Sequence, residues 1–309
     1  MAPSDQDLNA LLKSAAEHYQ HGNYEAAAAE FRCAEAAARS QGNQKVIAVA
    51  LANLGAAYAG LDDLTAAQEA LLAAQAENRA NGDLVGECQA NLSLGRVYER
   101  LGDWETAVQT YKAALDLARG MLNADLAEAA TAGLADALVK LGQIEAGLAR
   151  YQKLLNFHEK ARDEKNVIET LIKMVQTELD WGETSAAEAH GQKALYLSRQ
   201  LEDPASTAYC QYKLGSIYNT TGFNTQARVL LTQAVAAYRE LEMAEELGLA
   251  LNRLRMVYDS LSLYQDALAA HQETLAMAEA AGETSEQISA LHDIGSLYHK
   301  LGRLPLAEA

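Results

Sequence analysis

Proline is nearly absent from this chain, with three in 309 residues. With no ring to break them and few β-branched runs, helices can run almost throughout. Aromatic residues make up only 6%, mostly tyrosine, so alanine carries much of the 50% hydrophobic fraction. Cysteine is scarce as well. Cys33, Cys88 and Cys210 are odd in number and unrelated in spacing, which excludes a disulfide framework or a cysteine metal site. They read as buried thiols in a reducing cytoplasm. No run of about 18 apolar residues occurs, so no segment inserts in a membrane. The opening Met1-Ala2-Pro3-Ser4-Asp5-Gln6-Asp7 is polar and acidic, unlike a secretion signal. Basic residues are in deficit: 25 Lys and Arg against 42 Asp and Glu leave a net charge of -17. Nucleic acid and anionic membranes repel such a chain. In a cytoplasmic protein the glycosylation triplets at Asn91 and Asn219 are chance matches.

What is present is a repeat. Tyr58, Tyr98, Tyr218, Tyr258 and Tyr298 are spaced by multiples of forty residues. So are Ala27, Ala67, Ala107, Gly147, Ala187, Ala227, Ala267 and Ala307. A period in the 20–50 range marks a stacked array. Each period holds a first helical run, a short turn with Gly or Asp, a second run and a polar break. In the clearest unit, 84–123, Gly102 suits the left-handed end of the first helix and Asp103 caps the second. Trp104, Ala107, Val108, Tyr111, Ala114, Leu115 and Leu117 then form an inward stripe. Asp203 before Pro204 predicts a helix start, and Thr284 with Gln287 predicts a capping box. Met243-Ala244 lacks such punctuation and predicts a long helix end. The units run 7–43, 44–83, 84–123, 124–163, 164–203, 204–243, 244–283 and 284–309, the last incomplete, as one array over 1–309. Because the chain stops just after Leu306-Ala307-Glu308 opens a second helix, further chain is expected beyond Ala309.

Leu54-Gly55-Ala56-Ala57-Tyr58, Leu94-Gly95-Arg96-Val97-Tyr98, Leu214-Gly215-Ser216-Ile217-Tyr218 and Ile294-Gly295-Ser296-Leu297-Tyr298 carry a resemblance, as do Ala27 with Phe31, Ala107 with Tyr111 and Ala227 with Leu231. The pattern resembles the tetratricopeptide repeat in its longer, about 40-residue variety. The resemblance implies an all-α, right-handed α-solenoid (superhelix) of stacked antiparallel helix pairs. The first helix of each pair then lines a concave groove. Glycine inside a helix costs about 1 kcal/mol relative to alanine, so Gly55, Gly95, Gly215 and Gly295 imply close packing that returns more than that. The fifth unit departs most: Glu178 stands at the tyrosine register, Val175 at the glycine register and Gly191 where a large residue is usual. Trp181 replaces the usual Leu and is expected to compensate in bulk within a softer joint. Arg255 at a small-residue register predicts a wider helix pair.

No catalytic constellation emerges. His18, His21, His158, His190, His271, His292 and His299 lack zinc-protease spacing. His18 reads as a partly buried packing residue, and His292 and His299 as surface groups. Neither a phosphate loop nor a nucleophile elbow is found, so neither enzyme nor cofactor is implied.

The groove register implied by the resemblance holds Lys13, Asn53, Ser93, Gly133, Lys173, Lys213, Arg253 and Asp293. Three residues further lie Arg96, Gln176 and Met256 among others, with Gln89, Tyr209, Tyr212 and Asn252 beside them. Lys173, Lys213 and Arg253 form a row of cations within an acidic chain. Such a row can pair carboxylates, and Asn53 and Asn252 can hold a peptide backbone. The alternative is that the cations pair with neighbouring acids such as Glu169 and Asp259. The expected function is a non-enzymatic scaffold or adaptor binding a protein or peptide, acidic or carboxylate-bearing, with self-association through the unfinished unit also open. The other reading is a sensor arm whose effector domain lies beyond residue 309.

Overall fold

The computed structural model describes residues 5–302, with side chains from residue 8. Among the described residues there are fifteen helices and the turns between them. The chain divides into two compact units at Leu154/Leu155. The first holds α1 (Asp5–Gln20), α2 (Tyr24–Gln41), α3 (Gln44–Gly60), α4 (Leu64–Asn81), α5 (Leu84–Leu101), α6 (Trp104–Gly120) and α7 (Ala124–Lys140). The dividing point falls within α8 (Ile144–Ala161). The second holds α9 (Glu164–Trp181), α10 (Thr184–Gln200), α11 (Pro204–Thr220), α12 (Asn224–Glu240), α13 (Ala244–Ser260), α14 (Tyr264–Ala281) and α15 (Thr284–Lys300). Within each unit, helix pairs stack as an α-solenoid. No helix among the described residues is long and apolar enough to cross a membrane.

The turns reveal a metre finer than the forty-residue period. Gly22, Gly42, Asp62, Gly82, Gly102, Leu122 and Gly142 all have positive φ, as do Arg162, Gly182, Glu202, Gly222, Glu242, Ser262, Gly282 and Gly302. One left-handed residue therefore falls at every twentieth position. The next N–H then reaches back five residues, as Asp103 N does to Tyr98 O at 2.9 Å and Asn123 N to Ala118 O at 3.0 Å, closing the helix in a Schellman turn. Gly102, at φ 75, and Asp103, whose side chain accepts from Thr106 N, behave as the sequence predicts. Asp203 also caps α11, with Pro204 in its first turn.

Three local expectations are corrected. α12 ends at Glu240 and α13 starts at Ala244, with Glu242 left-handed at φ 56. No long helix end forms there, because the same turn closes without glycine. Thr284 is not a cap: Glu283 holds that position with no side-chain bond, and Gln287 donates instead to Ala278 O at 3.0 Å. Cys33 is exposed, whereas Cys88 and Cys210 are buried. Cys33 shares the outward register of Lys153, Lys193 and Gln233, all exposed.

Packing explains the glycines. A Cβ on Gly55 would lie 2.5 Å from Leu71 Cγ and 3.2 Å from the Ala67 carbonyl oxygen. On Gly215 it would lie 2.7 Å from Leu231 Cγ and 3.4 Å from Ala227 O. The hole thus admits a large side chain from the second helix and lets the alanine backbone come close. Tyr111 uses two such holes at once, its ring wedged between Gly95 on α5 and Gly133 on α7. Burial pushes its phenol well above the usual range, with nearby Glu99 adding to the shift. In the fifth unit Glu178 fills the tyrosine register with both carboxylate oxygens 2.9 Å from His190 Nδ1. Trp181 does not compensate in bulk, because it is 44% exposed.

Gly95→Ala adds a Cβ 2.5 Å from Tyr111 Cε1. Overpacking of this kind costs about 1–3 kcal/mol, more than alanine gains in helix propensity, so the urea midpoint should fall. Gly120→Ala meets nothing within 4 Å and should add about 0.4–1 kcal/mol of stability and so raise the midpoint. Equal effects of the two substitutions would refute the packing account. Leu122, 92% exposed at φ 55, holds a left-handed conformation that costs a branched residue about 1–2 kcal/mol. Leu122→Gly should therefore raise the melting temperature, and an unchanged or lower value would mean the turn carries no such strain.

Candidate functional site

Odd-numbered helices pack against the next odd helix: α1 on α3, α3 on α5 and α5 on α7 in the first unit, α9 on α11 and α11 on α13 in the second. Among the described residues α2 with α4, α4 with α6, α10 with α12 and α12 with α14 make no comparable contact. Each unit is therefore tighter on its odd-helix wall, and side chains there meet across neighbouring pairs. All fifteen groove residues singled out in the sequence lie on odd helices. Those from Lys13 to Gly133 belong to the first unit and those from Lys173 to Asp293 to the second.

In the first unit, Ser93 and Arg96 of α5 help line a cavity of about 290 Å³. Its floor is Gly55, Ala56, Ala59 and Gly60 of α3, and Tyr19 and Arg100 stand at its edge. Arg100 is engaged, donating to Ala59 O and Asp62 Oδ1 at 2.6 Å each. Lys13, Asn53 and Gln89 lie outside that lining. Lys13 is exposed and 3.9 Å from Glu17. His18 is half-buried as expected, 3.7 Å from Glu30.

In the second unit the structure gathers Gln176 of α9 and Tyr209, Tyr212 and Lys213 of α11. The Lys213 ammonium donates to Gln176 Oε1, and Gln176 Nε2 donates onward to Asp180 Oδ1 at 2.7 Å. The ammonium also sits 5.2 and 5.4 Å from the ring centres of Tyr209 and Tyr212, within cation–π reach. Burial holds the Lys213 pKa below the usual lysine value, Asp180 resists that shift and the Arg253 guanidinium adds to it. The Tyr209 phenol is pushed up to about 12, first by burial. Arg253 reaches Met256 Sδ at 4.0 Å. Lys173, one register before Lys213, is half-buried on α9. Asp259, a candidate partner for these cations, instead pairs with Lys300 at 3.1 Å. Asn252 accepts from Arg255 Nη2 at 2.8 Å.

The sequence reading missed a polar cluster beside this row: Arg255, His271, Asp293 and Lys300 around a cavity of about 200 Å³. The signal was available. Arg255 stands at the glycine register, and His271 at the register that holds Leu71, Tyr111 and Leu231 in other pairs. Among the described residues no group of three or more His, Cys, Asp or Glu side chains is placed to hold a metal ion.

The fold and its odd-helix wall define a helical-hairpin solenoid. A tetratricopeptide repeat family model matches residues 92–125, and the same residues recur in the same helix pairs at forty-residue steps. Residues 92–125 carry a tetratricopeptide repeat. No curated protein sequence matches it. Among solved structures, apo RapI is similar at TM-score 0.72 and 14% identity, over 97% of this chain and 94% of that one. The apo quorum sensor NprR from B. thuringiensis is similar at TM-score 0.65 and 16% identity, over 97% and 84%. A Signal Transduction ATPase with Numerous Domains carrying a tetratricopeptide repeat sensor, from Pyrococcus horikoshii, is similar at TM-score 0.74 and 12% identity, over 90% and 42%. At these identities the likeness is one of fold.

Lys213 should titrate below the surface lysines when followed by carbon-13 NMR. Arg253→Gln should raise its value and Asp180→Asn lower it further. Its folded value lies below the unfolded one, so the buried cation costs stability at lower pH. That cost fades as pH rises through the folded value. Co-titration of Lys213 with the exposed lysines would contradict this geometry.

Proposed function

We propose that this chain is a non-enzymatic scaffold of the cytoplasm, one array of eight repeat units with the last incomplete. It binds a carboxylate-bearing peptide or protein segment along its odd-helix wall. One observation carries the reading. Lys213 and Arg253 sit on successive odd helices in a chain of net charge -17, and neither has a carboxylate at ion-pair distance among the described residues. Two neighbouring cations repel, and partial burial strengthens that repulsion. An incoming carboxylate relieves it and gains charge-assisted hydrogen bonds from both groups. The tyrosines beside Lys213 supply apolar contact for the rest of the segment. Support also comes from fold neighbours: NprR is a quorum sensor, and a Rap protein with the same fold was solved complexed with Competence and Sporulation Factor.

A second reading, a sensor arm of a longer signalling protein, is favoured by the P. horikoshii ATPase. This chain covers 42% of that protein, which carries a tetratricopeptide repeat sensor.

Titration of the chain with fluorescent peptides rich in Asp and Glu tests the first reading. Binding should weaken with salt, and Lys213→Glu combined with Arg253→Glu should weaken it by about tenfold or more, or 1.4 kcal/mol. Affinity that survives the double charge reversal would end this reading.

A further inference from the structure

The seventh helix pair is built differently from its neighbours. Elsewhere a glycine on the first helix receives a large side chain from the second: Gly55 with Leu71, Gly95 with Tyr111, Gly215 with Leu231. At the same registers α13 presents Arg255 and α14 presents His271. Neither makes an apolar plug. A polar cavity of about 200 Å³ opens instead between α13, α14 and α15. That is smaller than the ~300 Å³ lower end of drug-sized sites, and equals the share of roughly six or seven waters. Its size suits a small metabolite.

The lining is fixed by its own bonds. Arg255 Nη1 donates to His271 Nδ1 at 2.8 Å, so His271 accepts there and is a neutral imidazole with its proton on Nε2. Burial and the Arg255 charge favour this neutral form, holding the His271 pKa below its usual value. Arg255 Nη2 donates to Asn252 Oδ1 at 2.8 Å. Asp293 lies 3.9 Å from Arg255 and 3.6 Å from His271. Lys300 pairs with Asp259 at 3.1 Å. Arg255 Nε is buried and has no hydrogen-bond partner among the described residues.

With His271 neutral, two cations and two carboxylates face the cavity, and their charges cancel. This balance decides what fits. A lone anion must take Arg255 or Lys300 from its carboxylate and leave that carboxylate unpaired. A lone cation does the reverse. A molecule with both charges on groups attached to one carbon exchanges pair for pair and strands nothing. We propose that this cavity binds a free α-amino acid. The carboxylate is held by Arg255 and the ammonium by Asp293, while Lys300 keeps Asp259. Asn252 and Ser296 complete the polar contacts, and the side chain lies toward Met256. A peptide end presents only one of the two charges at its terminal residue and fits less well.

The test is calorimetric titration of the full chain with each of the protein amino acids. At least one should bind saturably. Its N-acetyl derivative, which keeps only the anion, and its amide, which keeps only the cation, should each bind about tenfold weaker or worse. Asp293 is 42% exposed, so Asp293→Asn should keep the fold, checked by circular dichroism, and lose about tenfold in affinity. Arg255→Met should abolish binding. Lys213→Glu should leave it unchanged, which separates this site from the acidic-segment wall. No saturation by any amino acid up to ~10 mM would overturn the proposal, as would equal binding of the N-acetyl or amide form.

Discussion

A left-handed residue at every twentieth position sets the metre of this chain. Each helix is stopped after 16 to 18 residues and the next starts at a fixed offset, so equivalent residues return to the same face in every pair. Nine of the fifteen turn positions are glycine, which takes this conformation freely. The other six are held there by the five-residue return bond and by neighbours already stacked. Without that metre a tyrosine recurring every forty residues would not keep to one groove. With it, a single packing solution is copied along each unit. Each pair leaves an apolar face that only the next pair can cover, so stability is shared between neighbours.

The same metre brings charges into rows. Many of the ion pairs join residues about one repeat apart: Arg39 with Glu77, Arg100 with Asp62, Lys193 with Glu159, Arg239 with Glu273, Lys300 with Asp259. They lie on exposed or half-exposed surface and contribute about 0–1 kcal/mol each, too little to hold the stack. Their effect is to neutralise cations locally. Against that background the Lys213–Arg253 neighbourhood stands out. Lys213 is met by a neutral amide and two aromatic faces, and Asp180 is reached only through Gln176. Partial burial keeps this cation costly, and a carboxylate arriving from outside lowers that cost.

Much of the architecture was legible because it is carried by residues with few alternatives. Gly55, Gly95 and Gly215 in the middle of helices need a reason, and the Leu or Tyr from the second helix supplies it. The twenty-residue metre was hidden because Asp62, Leu122, Arg162, Glu202, Glu242 and Ser262 do not advertise a left-handed turn. Cys33 was misjudged because α2 is so rich in alanine that its inward stripe has no clear edge. Trp181 was misjudged by weighing its bulk against its register, where Leu61 and Leu101 are also exposed although Leu141 and Leu261 are half-buried. Candidate site residues were placed on the right helices, since register alone fixes that. Which of them meet depends on side-chain reach. Lys213 contacts Gln176 one repeat back, whereas Asn252 is held by a neighbour on its own helix.

Arg255 and His271 show how a repeat gains chemistry without losing its fold. Two polar side chains occupy registers that elsewhere hold a glycine and a large packing residue, an exchange that costs stability unless each polar atom finds a partner. Most do: the imidazole accepts from one guanidinium nitrogen, Asn252 accepts from another, and Asp293 stands near both groups. The backbone of α13 and α14 is unaffected, with Ser262 turning between them as the other left-handed residues do. The metre therefore absorbs the change. Since each pair contacts only its neighbours, a polar cavity in one pair leaves the packing of distant pairs intact. A solenoid can thus carry a site in a single unit while its neighbours stay apolar, and such a unit is marked in the sequence by polar residues standing where its siblings carry the core.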